Sequence, residues 1–313
     1  MPVHRLHQEQ LSRKIKKEAK ALGFYACGIS PARPLPDEAR RMESWLGKGM
    51  HGEMKYLERN RDKRYDITRL VKNARSVVTV LFNYFPEQEL PAKSYYKISK
   101  YAYGKDYHYI IKQRLARLLK YTETLTGKRN ARIFTDSAPV LDRAVARRAG
   151  LGFTGKNTAL INRRGGSFFF IGHLVLDLEL APDDETRENF CGNCTLCIDA
   201  CPTGALSAFE LDARKCISYL TIEYRGEKIP DRFKGKWKQW IFGCDICQDV
   251  CPWNRKASPT QEPAFQPSEG LKGMTKDDWE NMDKPAFQKL FKGTAIERTG
   301  LKGIQRNIRF LAE

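Results

Sequence analysis

Two cysteine-rich stretches, Cys191-Gly-Asn-Cys-Thr-Leu-Cys-Ile-Asp-Ala-Cys-Pro202 and Cys244-Asp-Ile-Cys-Gln-Asp-Val-Cys-Pro252, decide how this chain folds. The first has the spacing with which bacterial ferredoxins ligate two [4Fe–4S] clusters, the fourth cysteine binding the other cluster. The second stretch has three cysteines, so its cluster needs one more ligand. The spacing therefore predicts one cluster on Cys191, Cys194, Cys197 and Cys251, and another on Cys201, Cys216, Cys244 and Cys247.

Disulfides and zinc held by paired Cys-x-x-Cys motifs are the alternatives for these eight cysteines. Zinc leaves the three-residue spacings and both Cys-Pro steps unexplained. The ninth cysteine, Cys27, lies in the apolar segment 24–29 and is expected to be a buried structural thiol. The concentration of cysteines in cluster motifs is typical of a reducing compartment.

The length and charge of the chain limit its class. A chain of 313 residues is long enough for about two domains. The formal net charge of +18 favours a polyanionic partner, with nucleic acid first and an anionic membrane second, although an enzyme that is merely basic fits as well. The first twenty residues are polar, and the longest apolar region, 168–180, is too short to span a bilayer. We therefore expect a cytoplasmic protein without a membrane anchor.

Apolar periodicity predicts the helices and strands of the chain, and changes in composition divide it into three parts. Helices are predicted over 11–22, 37–47, 109–126 and 139–149, and strands over 24–29, 77–85, 131–135, 157–162 and 167–180. A charged stretch at 182–189 and four prolines between 252 and 267 suggest boundaries. The predicted parts are residues 1–182, a mixed α and β domain; residues 183–258, the double-cluster domain; and residues 259–313, a helical segment.

No common cofactor motif accompanies the cluster motifs. Residues 150–155 fit Gly-x-Gly-x-x-Gly, but a helical pattern precedes them where a dinucleotide fold requires a strand. Two clusters transfer single electrons at low potential. The residues alone therefore indicate an iron–sulfur reductase whose reactive centre they do not identify.

Flanking residues carry a resemblance to a known family. Residues 191–205, Lys215-Cys-Ile-Ser-Tyr-Leu-Thr-Ile-Glu223 and residues 242–254 closely resemble epoxyqueuosine reductases. Further matches are Ser99-Lys-Tyr-Ala-Tyr-Gly-Lys-Asp-Tyr-His108, Thr135-Asp-Ser-Ala-Pro139 and Gly152-Phe-Thr-Gly-Lys-Asn-Thr158. The resemblance extends from about residue 10 to residue 311.

The resemblance implies an α+β fold. It comprises a nitroreductase-like, reductive-dehalogenase-like cobalamin domain, a ferredoxin-like domain with two [4Fe–4S] clusters, and a short C-terminal segment resembling the start of a HEAT-like region. It implies reduction of epoxyqueuosine to queuosine at the tRNA wobble position. Cobalamin is expected base-off, resting as cob(II)alamin, with no protein histidine on cobalt. The expected partners are tRNA carrying epoxyqueuosine and an unidentified low-potential electron donor, and the expected state is a monomer.

The resemblance also assigns site residues. Asp136 is the expected proton donor, protonated near neutral pH through burial; without the resemblance, a cap for a helix beginning near Pro139 is the simpler interpretation. Asp106 and His108 are further candidates for shaping the pocket or relaying protons. Cations within 225–238 are expected to contact the tRNA backbone. The expected cobalamin contacts are Arg59, Ser99, Lys156, Asn157, Thr158, Gln239 and Asp245.

Two other functions remain open at this point. A reductive dehalogenase-like enzyme would share the clusters, corrin and fold, but it usually has a twin-arginine export signal, which this sequence does not show. A ferredoxin-type electron carrier would use the first 180 residues only to dock partners, and a bound corrin would exclude it. The usual cobalamin motif Asp-x-His-x-x-Gly begins at Asp106, but Ile111 replaces its glycine.

Overall fold

A four-stranded antiparallel sheet forms the centre of the first half of the chain. The computed structural model describes residues 2–91 and 94–313. In spatial order the strands are β1 (Ala26–Pro31), β2 (Ser76–Asn83), β7 (Phe169–Leu176) and β4 (Ala131–Phe134). The two central strands have nearly continuous apolar sequences because both of their faces are covered.

Helices cover both faces of this sheet. The helices α1 (Pro2–Ala21) and α4 (Tyr107–Thr126) lie on one face, where Ile15 and Leu115 pack with Val78. The helix α5 (Asp142–Arg148) lies on the other face, where Val145 packs with Val77. Neighbouring residues of β2 thus contribute to opposite layers, as the twofold alternation of a strand requires. Two shorter helices, α2 (Pro36–Gly47) and α3 (Arg61–Tyr65), connect β1 to β2.

The helix predicted over 139–149 is shorter than expected. It begins at Asp142 and its N-cap is Leu141, so residues 136–141 form a loop between β4 and α5. Asp136 itself has a φ of 48°, in the left-handed region that non-glycine residues rarely adopt. The interpretation of Asp136 as a helix cap is therefore wrong, because five residues separate it from the first helical residue, Asp142.

The cysteine motifs fold as two short helices that pack together. These are α6 (Leu196–Asp199) and α8 (Ile246–Asp249). Between them lie the hairpin of β8 (Leu206–Ser207) and β9 (Glu210–Leu211), the helix α7 (Ile217–Ile222) and the strand β10 (Trp240–Phe242). The last strand pairs in parallel with β3 (Lys97–Ile98), which connects the cluster region to the first half of the chain. A further small hairpin joins β5 (Phe153–Thr154) to β6 (Leu160–Ile161).

The C-terminal helices pack against the cluster region. They are α9 (Glu269–Gly273), α10 (Lys276–Glu280), α11 (Lys284–Phe291) and α12 (Gly300–Ala312). One hydrophobic cluster contains Ile98, Phe242 and Ile304, which come from all three predicted parts of the chain. The α+β fold class is as predicted, whereas the boundaries at 182 and 258 stay a prediction.

A fully buried asparagine fixes the last helix. Asn307 donates to the carbonyl oxygens of Thr221 (3.0 Å) and Ile241 (2.8 Å), and it accepts from the Arg306 guanidinium. The chain end is thereby joined to α7 and β10, which both lie between the two cysteine motifs in the sequence. Among the described residues, no helix has both the length and the apolar character needed to cross a membrane.

Candidate functional site

A large cavity lies between the sheet domain and the cluster region. Its volume is about 2240 Å³, more than twice the upper end of about 1,000 Å³ for ordinary small-molecule sites. Its wall includes the β4–α5 loop with Asp136, the start of α4, Arg298 from the C-terminal segment and Cys216 from the cluster region. A cavity of this size can hold a large cofactor together with part of a second ligand.

Asp136 is the centre of a hydrogen-bonded group in this cavity. The Tyr107 hydroxyl donates to its Oδ2 at 2.5 Å, and the Tyr107 ring stacks on Phe170 at 4.0 Å. The Nε2 atom of His108 lies 3.9 Å from the same oxygen. The other ring nitrogen, Nδ1, lies 2.7 Å from Oδ1 of Asp106, which caps α4 through the His108 amide. A phenol and an imidazole therefore adjoin the expected proton donor, and a second carboxylate orients the imidazole.

The environment of Asp136 raises the pKa of its carboxyl. Desolvation is the largest influence and raises the pKa of the carboxyl, and the negative charge of Asp142 acts in the same direction. The hydrogen bond from Tyr107 and the charges of His108 and Arg298 act in the opposite direction, but the pKa remains raised. The side chain is 61% exposed, yet its exposed surface faces the cavity. A ligand that fills the cavity would remove the remaining water and raise the pKa further.

A buried histidine supports the loop that carries Asp136. His173 on β7 is fully buried, with Nδ1 3.0 Å from the Thr79 hydroxyl and Nε2 3.1 Å from Oδ1 of Asp142. At the other end of the loop, the Thr135 hydroxyl donates to the Ile171 carbonyl at 2.9 Å. Both ends of the loop are thus attached to β7.

The eight motif cysteines fall into two neighbouring sets. Burial, and then the charges of Cys191, Cys251 and Cys194, raise the pKa of Cys197. Burial and nearby charges, including those of Cys216 and Cys201, likewise raise the pKa of Cys244. These groupings agree with the two ligand sets that the spacing predicts, whose assignment to clusters stays a prediction, and all nine cysteines are free thiols. Eight neighbouring thiols, four for each cluster, are the donors that two [4Fe–4S] clusters require, so the donor chemistry fits iron–sulfur clusters.

The predicted cobalamin contacts lie in different places. Arg59 and Thr158 line the cavity. Lys156 and Asn157 instead reach the cluster motifs. The Lys156 side chain donates to the Gly192 carbonyl, and its backbone amide donates to the Cys191 sulfur. The Asn157 side-chain amide donates to the Cys247 carbonyl.

The other three predicted contacts lie around β10. Ser99 and Asp245 are both buried, and the Asp245 carboxylate accepts the Lys100 amide at 2.7 Å. Gln239, with a φ of 66°, precedes β10 and accepts the Lys97 amide through its carbonyl. The cavity wall includes none of Ser99, Lys156, Asn157, Gln239 and Asp245. Their assignment as cobalamin contacts stays a prediction.

A glycine permits the close approach of Ser99 to the second cysteine motif. Gly243 has a φ of +68°, and a Cβ at this position would lie 2.1 Å from the Ser99 hydroxyl oxygen. The segment that precedes Cys244 can therefore pack against Ser99 only as glycine. This packing places the first cysteine of the second motif beside the sheet domain.

The basic segment 225–238 is exposed, but its aromatic residues are not. Phe233 and Trp237 are buried in a cluster with Tyr219 and Phe310, so they cannot stack on bases. The spacing of these aromatic residues therefore serves the hydrophobic core. The cations remain on the surface and stay the predicted tRNA contacts; they are Arg225, Lys228, Arg232, Lys234, Lys236 and Lys238.

Cys27 is partly buried, whereas its apolar segment predicts a buried structural thiol. It packs against the main hydrophobic cluster, and burial raises the pKa of its thiol to about 12. Sequence reasoning did not single out Tyr107, Asp142 or Arg298 as site residues. Tyr107 lies between two candidate residues, which was a usable signal. Arg298 is distant in the sequence, and only the fold brings it to Asp136.

Comparisons with known proteins agree with this arrangement. A family model described as epoxyqueuosine reductase QueG, DUF1730, matches residues 64–137, and a 4Fe-4S double cluster binding domain matches residues 190–254. The second match supports two iron–sulfur clusters over zinc. The epoxyqueuosine reductase of Leadbetterella byssophila is 54% identical over 302 residues, covering 96% of this chain and 98% of that protein.

Solved structures show the same fold. A selenomethionine-labelled epoxyqueuosine reductase has a TM-score of 0.88 at 28% identity, covering 96% of this chain and 81% of that one. An epoxyqueuosine reductase with an epoxyqueuosine-modified tRNA stem loop has a TM-score of 0.84 at 28% identity, covering 96% and 80%. A catabolic reductive dehalogenase shares the fold more distantly, with a TM-score of 0.50 at 17% identity, covering 96% and 38%. By its sequence identity to curated members over almost its whole length, this chain belongs to the epoxyqueuosine reductase family.

Proposed function

We propose that this protein reduces epoxyqueuosine to queuosine at the wobble position of tRNA, with cobalamin in the cavity and electrons supplied through two [4Fe–4S] clusters. One observation carries the proposal. Asp136, with a raised pKa, and Cys216 of one ligand set line the same cavity. An acid and a route for electrons thus meet at one place in a member of this family.

The cavity has the properties that cobalamin requires. Cobalamin is a wide macrocycle with many amide groups, and the wall offers both apolar surface and polar groups. Among the latter, Arg64 has a buried Nε atom without a hydrogen-bond partner in the described part of the chain. A ligand carbonyl could satisfy that donor. When bound, cobalamin supplies a cobalt centre that can be reduced to low oxidation states, and the clusters supply single electrons.

The side chains around Asp136 have separable tasks. Opening the epoxide leaves an alkoxide, and loss of the oxygen as water consumes two electrons and two protons. Asp136 donates a proton, and desolvation raises the pKa of its carboxyl, which favours this role. Tyr107 holds the carboxyl through its 2.5 Å hydrogen bond, and its ring is fixed by Phe170. His108, oriented by Asp106, is placed to return a proton to Asp136.

The remaining features of the proposal concern partners and location. The exposed cations of segment 225–238 bind the tRNA backbone, and Arg59 and Thr158 contact the cofactor. Five residues that do not line the cavity support the cofactor indirectly; they are Lys156, Asn157, Ser99, Gln239 and Asp245. We propose a cytoplasmic monomer with cob(II)alamin, base-off, as the resting cofactor. The three parts of the chain act as the catalytic domain, the cluster domain and a helical support.

The test is anaerobic reconstitution with iron, sulfide and cobalamin, followed by nucleoside analysis of tRNA carrying epoxyqueuosine. We expect queuosine to form when a strong reductant is present. Absence of conversion with both cofactors loaded would contradict the proposal. Conversion without cobalamin would contradict only the assignment of the cofactor.

A further inference from the structure

The two cysteine sets differ in their distance from the cavity. Cys216 lines the cavity, whereas Cys191, Cys194, Cys197 and Cys251 do not. The two sets approach each other where the charge of Cys197 influences Cys247. We name the set with Cys216 the inner set and the set with Cys191 the outer set. Electrons that reach the cavity through both sets therefore arrive first at the outer set.

A patch of cations covers the outer set. The Arg163 guanidinium lies 4.3 Å from the ring centre of Phe190, and Lys256 Nζ lies 5.0 Å from that of Trp253. The two rings are neighbours at 6.3 Å, and both pack in the small hydrophobic cluster that contains Cys191 and Cys251. We call this surface the outer patch; it consists of Arg163, Arg164, Phe190, Trp253, Arg255 and Lys256.

The cations of the outer patch have no charge partners within the described residues. All four are exposed, and none of them forms an ion pair there. Unpaired cations held over aromatic rings do not contribute to the hydrophobic core. Their charge is therefore directed to solvent, or to a partner with negative charge.

Two exposed apolar side chains adjoin cysteines of the outer set in the sequence. Leu196 is 46% exposed and precedes Cys197, while Val250 is 36% exposed and precedes Cys251. They belong to α6 and to the end of α8, which pack together. A small apolar area with a charged rim is typical of transient protein interfaces. Redox partners use interfaces at the small end of the size range, since they must separate after each transfer.

Building on the proposed function, we propose that the outer patch docks a small, acidic, one-electron carrier protein. Opposite charges steer such a carrier to the outer set and orient it there. Each encounter oxidises the carrier by one electron and reduces the iron held by the outer set by one electron. Two encounters supply the two electrons that one epoxide reduction consumes. None of the residues of the outer patch lines the cavity, so the carrier and the modified nucleoside approach separate places.

The experiment measures binding of an acidic flavodoxin, used as the probe, to the reconstituted enzyme. The flavodoxin is kept oxidised, so its flavin fluorescence reports binding without turnover. The test variant combines Arg163→Gln, Arg255→Gln and Lys256→Gln. The control variant removes the same charge from the exposed face of α1 by Lys14→Gln, Lys17→Gln and Lys20→Gln. Circular dichroism and cluster absorbance check that both variants remain folded and loaded.

We expect the test variant to bind flavodoxin about tenfold more weakly at low ionic strength, with a flatter dependence on salt, and the control variant to bind like the parent. Equal losses in both variants would overturn the proposal, as would no binding by the parent. A loss of tRNA affinity without a loss of flavodoxin affinity would assign the patch to tRNA instead. Failure of the proposed function is distinguishable, since it would appear as absent epoxide turnover with a chemical reductant while flavodoxin still bound.

Discussion

Asp136→Asn should remove catalysis and leave the site assembled. An asparagine has the size of the aspartate, and its Oδ1 can still accept the hydrogen bond that Tyr107 donates at 2.5 Å. The left-handed backbone at this position, with a φ of 48°, is one that asparagine also tolerates. The substitution therefore removes the proton and little else.

The expected loss follows from the role of the proton. General acids contribute about 10²- to 10⁴-fold to a rate. At about 1.36 kcal/mol for each tenfold change, that corresponds to roughly 3–5.5 kcal/mol of transition-state stabilisation. We expect kcat to fall by at least about a hundredfold, while KM for modified tRNA changes by less than about threefold, because Asp136 is not needed for binding.

The assay is single-turnover conversion of epoxyqueuosine in tRNA, with cobalamin and iron contents measured on the same sample. Glu188→Gln is the matched control, since it removes one negative charge from the same cavity wall at an exposed position. A variant with full cofactor content and more than about a third of the parental rate would refute the role of Asp136 as the acid, since that is far less than the loss expected for a general acid.

Three other measurements test separate parts of the structure. Because the active form of Asp136 is protonated, kcat should fall as pH rises through its raised pKa; Tyr107→Phe removes a hydrogen bond that lowers this pKa and should move the fall to higher pH. Asn307→Leu should lower the free energy of unfolding in urea by about 2–4 kcal/mol, since buried groups lose their partners. Replacing three exposed cations by glutamine should weaken tRNA binding and reduce the slope of log K against log salt by about 3; they are Arg232, Lys236 and Lys238.

Each of these outcomes can fail in a distinct way. A fall in kcat that moves to lower pH in Tyr107→Phe would contradict the assignment of the acid, because the hydrogen bond favours the carboxylate. An Asn307→Leu variant as stable as the parent would show that α12 is held by its apolar contacts alone. An unchanged salt slope in the triple variant would place the tRNA elsewhere on the protein.

Local patterns were sufficient for much of the fold. The helix α4 follows its predicted range within two residues, because its leucine spacing and its end at Gly127 are local features. The double-cluster domain could be predicted because the spacing between cluster ligands is itself a geometric constraint. The loop at 136–141 could not be predicted as a loop, since Pro139 is as compatible with a first helical turn as with a loop.

The surroundings of the acid depend on long-range contacts. Tyr107 reaches Asp136 across 29 residues, and Arg298 reaches the same cavity from the C-terminal segment. No periodicity connects these positions, so only the fold reveals them. The aromatic residues Phe233 and Trp237 also depend on the fold, because they alternate with exposed cations in the sequence although they are buried.

The position of Asp136 follows from how its loop is attached. β4 pairs with β7 as far as Phe134 opposite His173, and two contacts beyond this pair use the same strand. The Thr135 hydroxyl donates a hydrogen bond to the Ile171 carbonyl, and the Asp142 carboxylate is hydrogen-bonded to the buried His173. Both ends of the loop are attached to the same three-residue stretch of β7, 171–173, so the residues between them must turn sharply. Asp136 adopts a left-handed backbone in this turn, at a cost of about 1 kcal/mol or more. The sheet thus compensates for the strain that directs the carboxyl into the cavity.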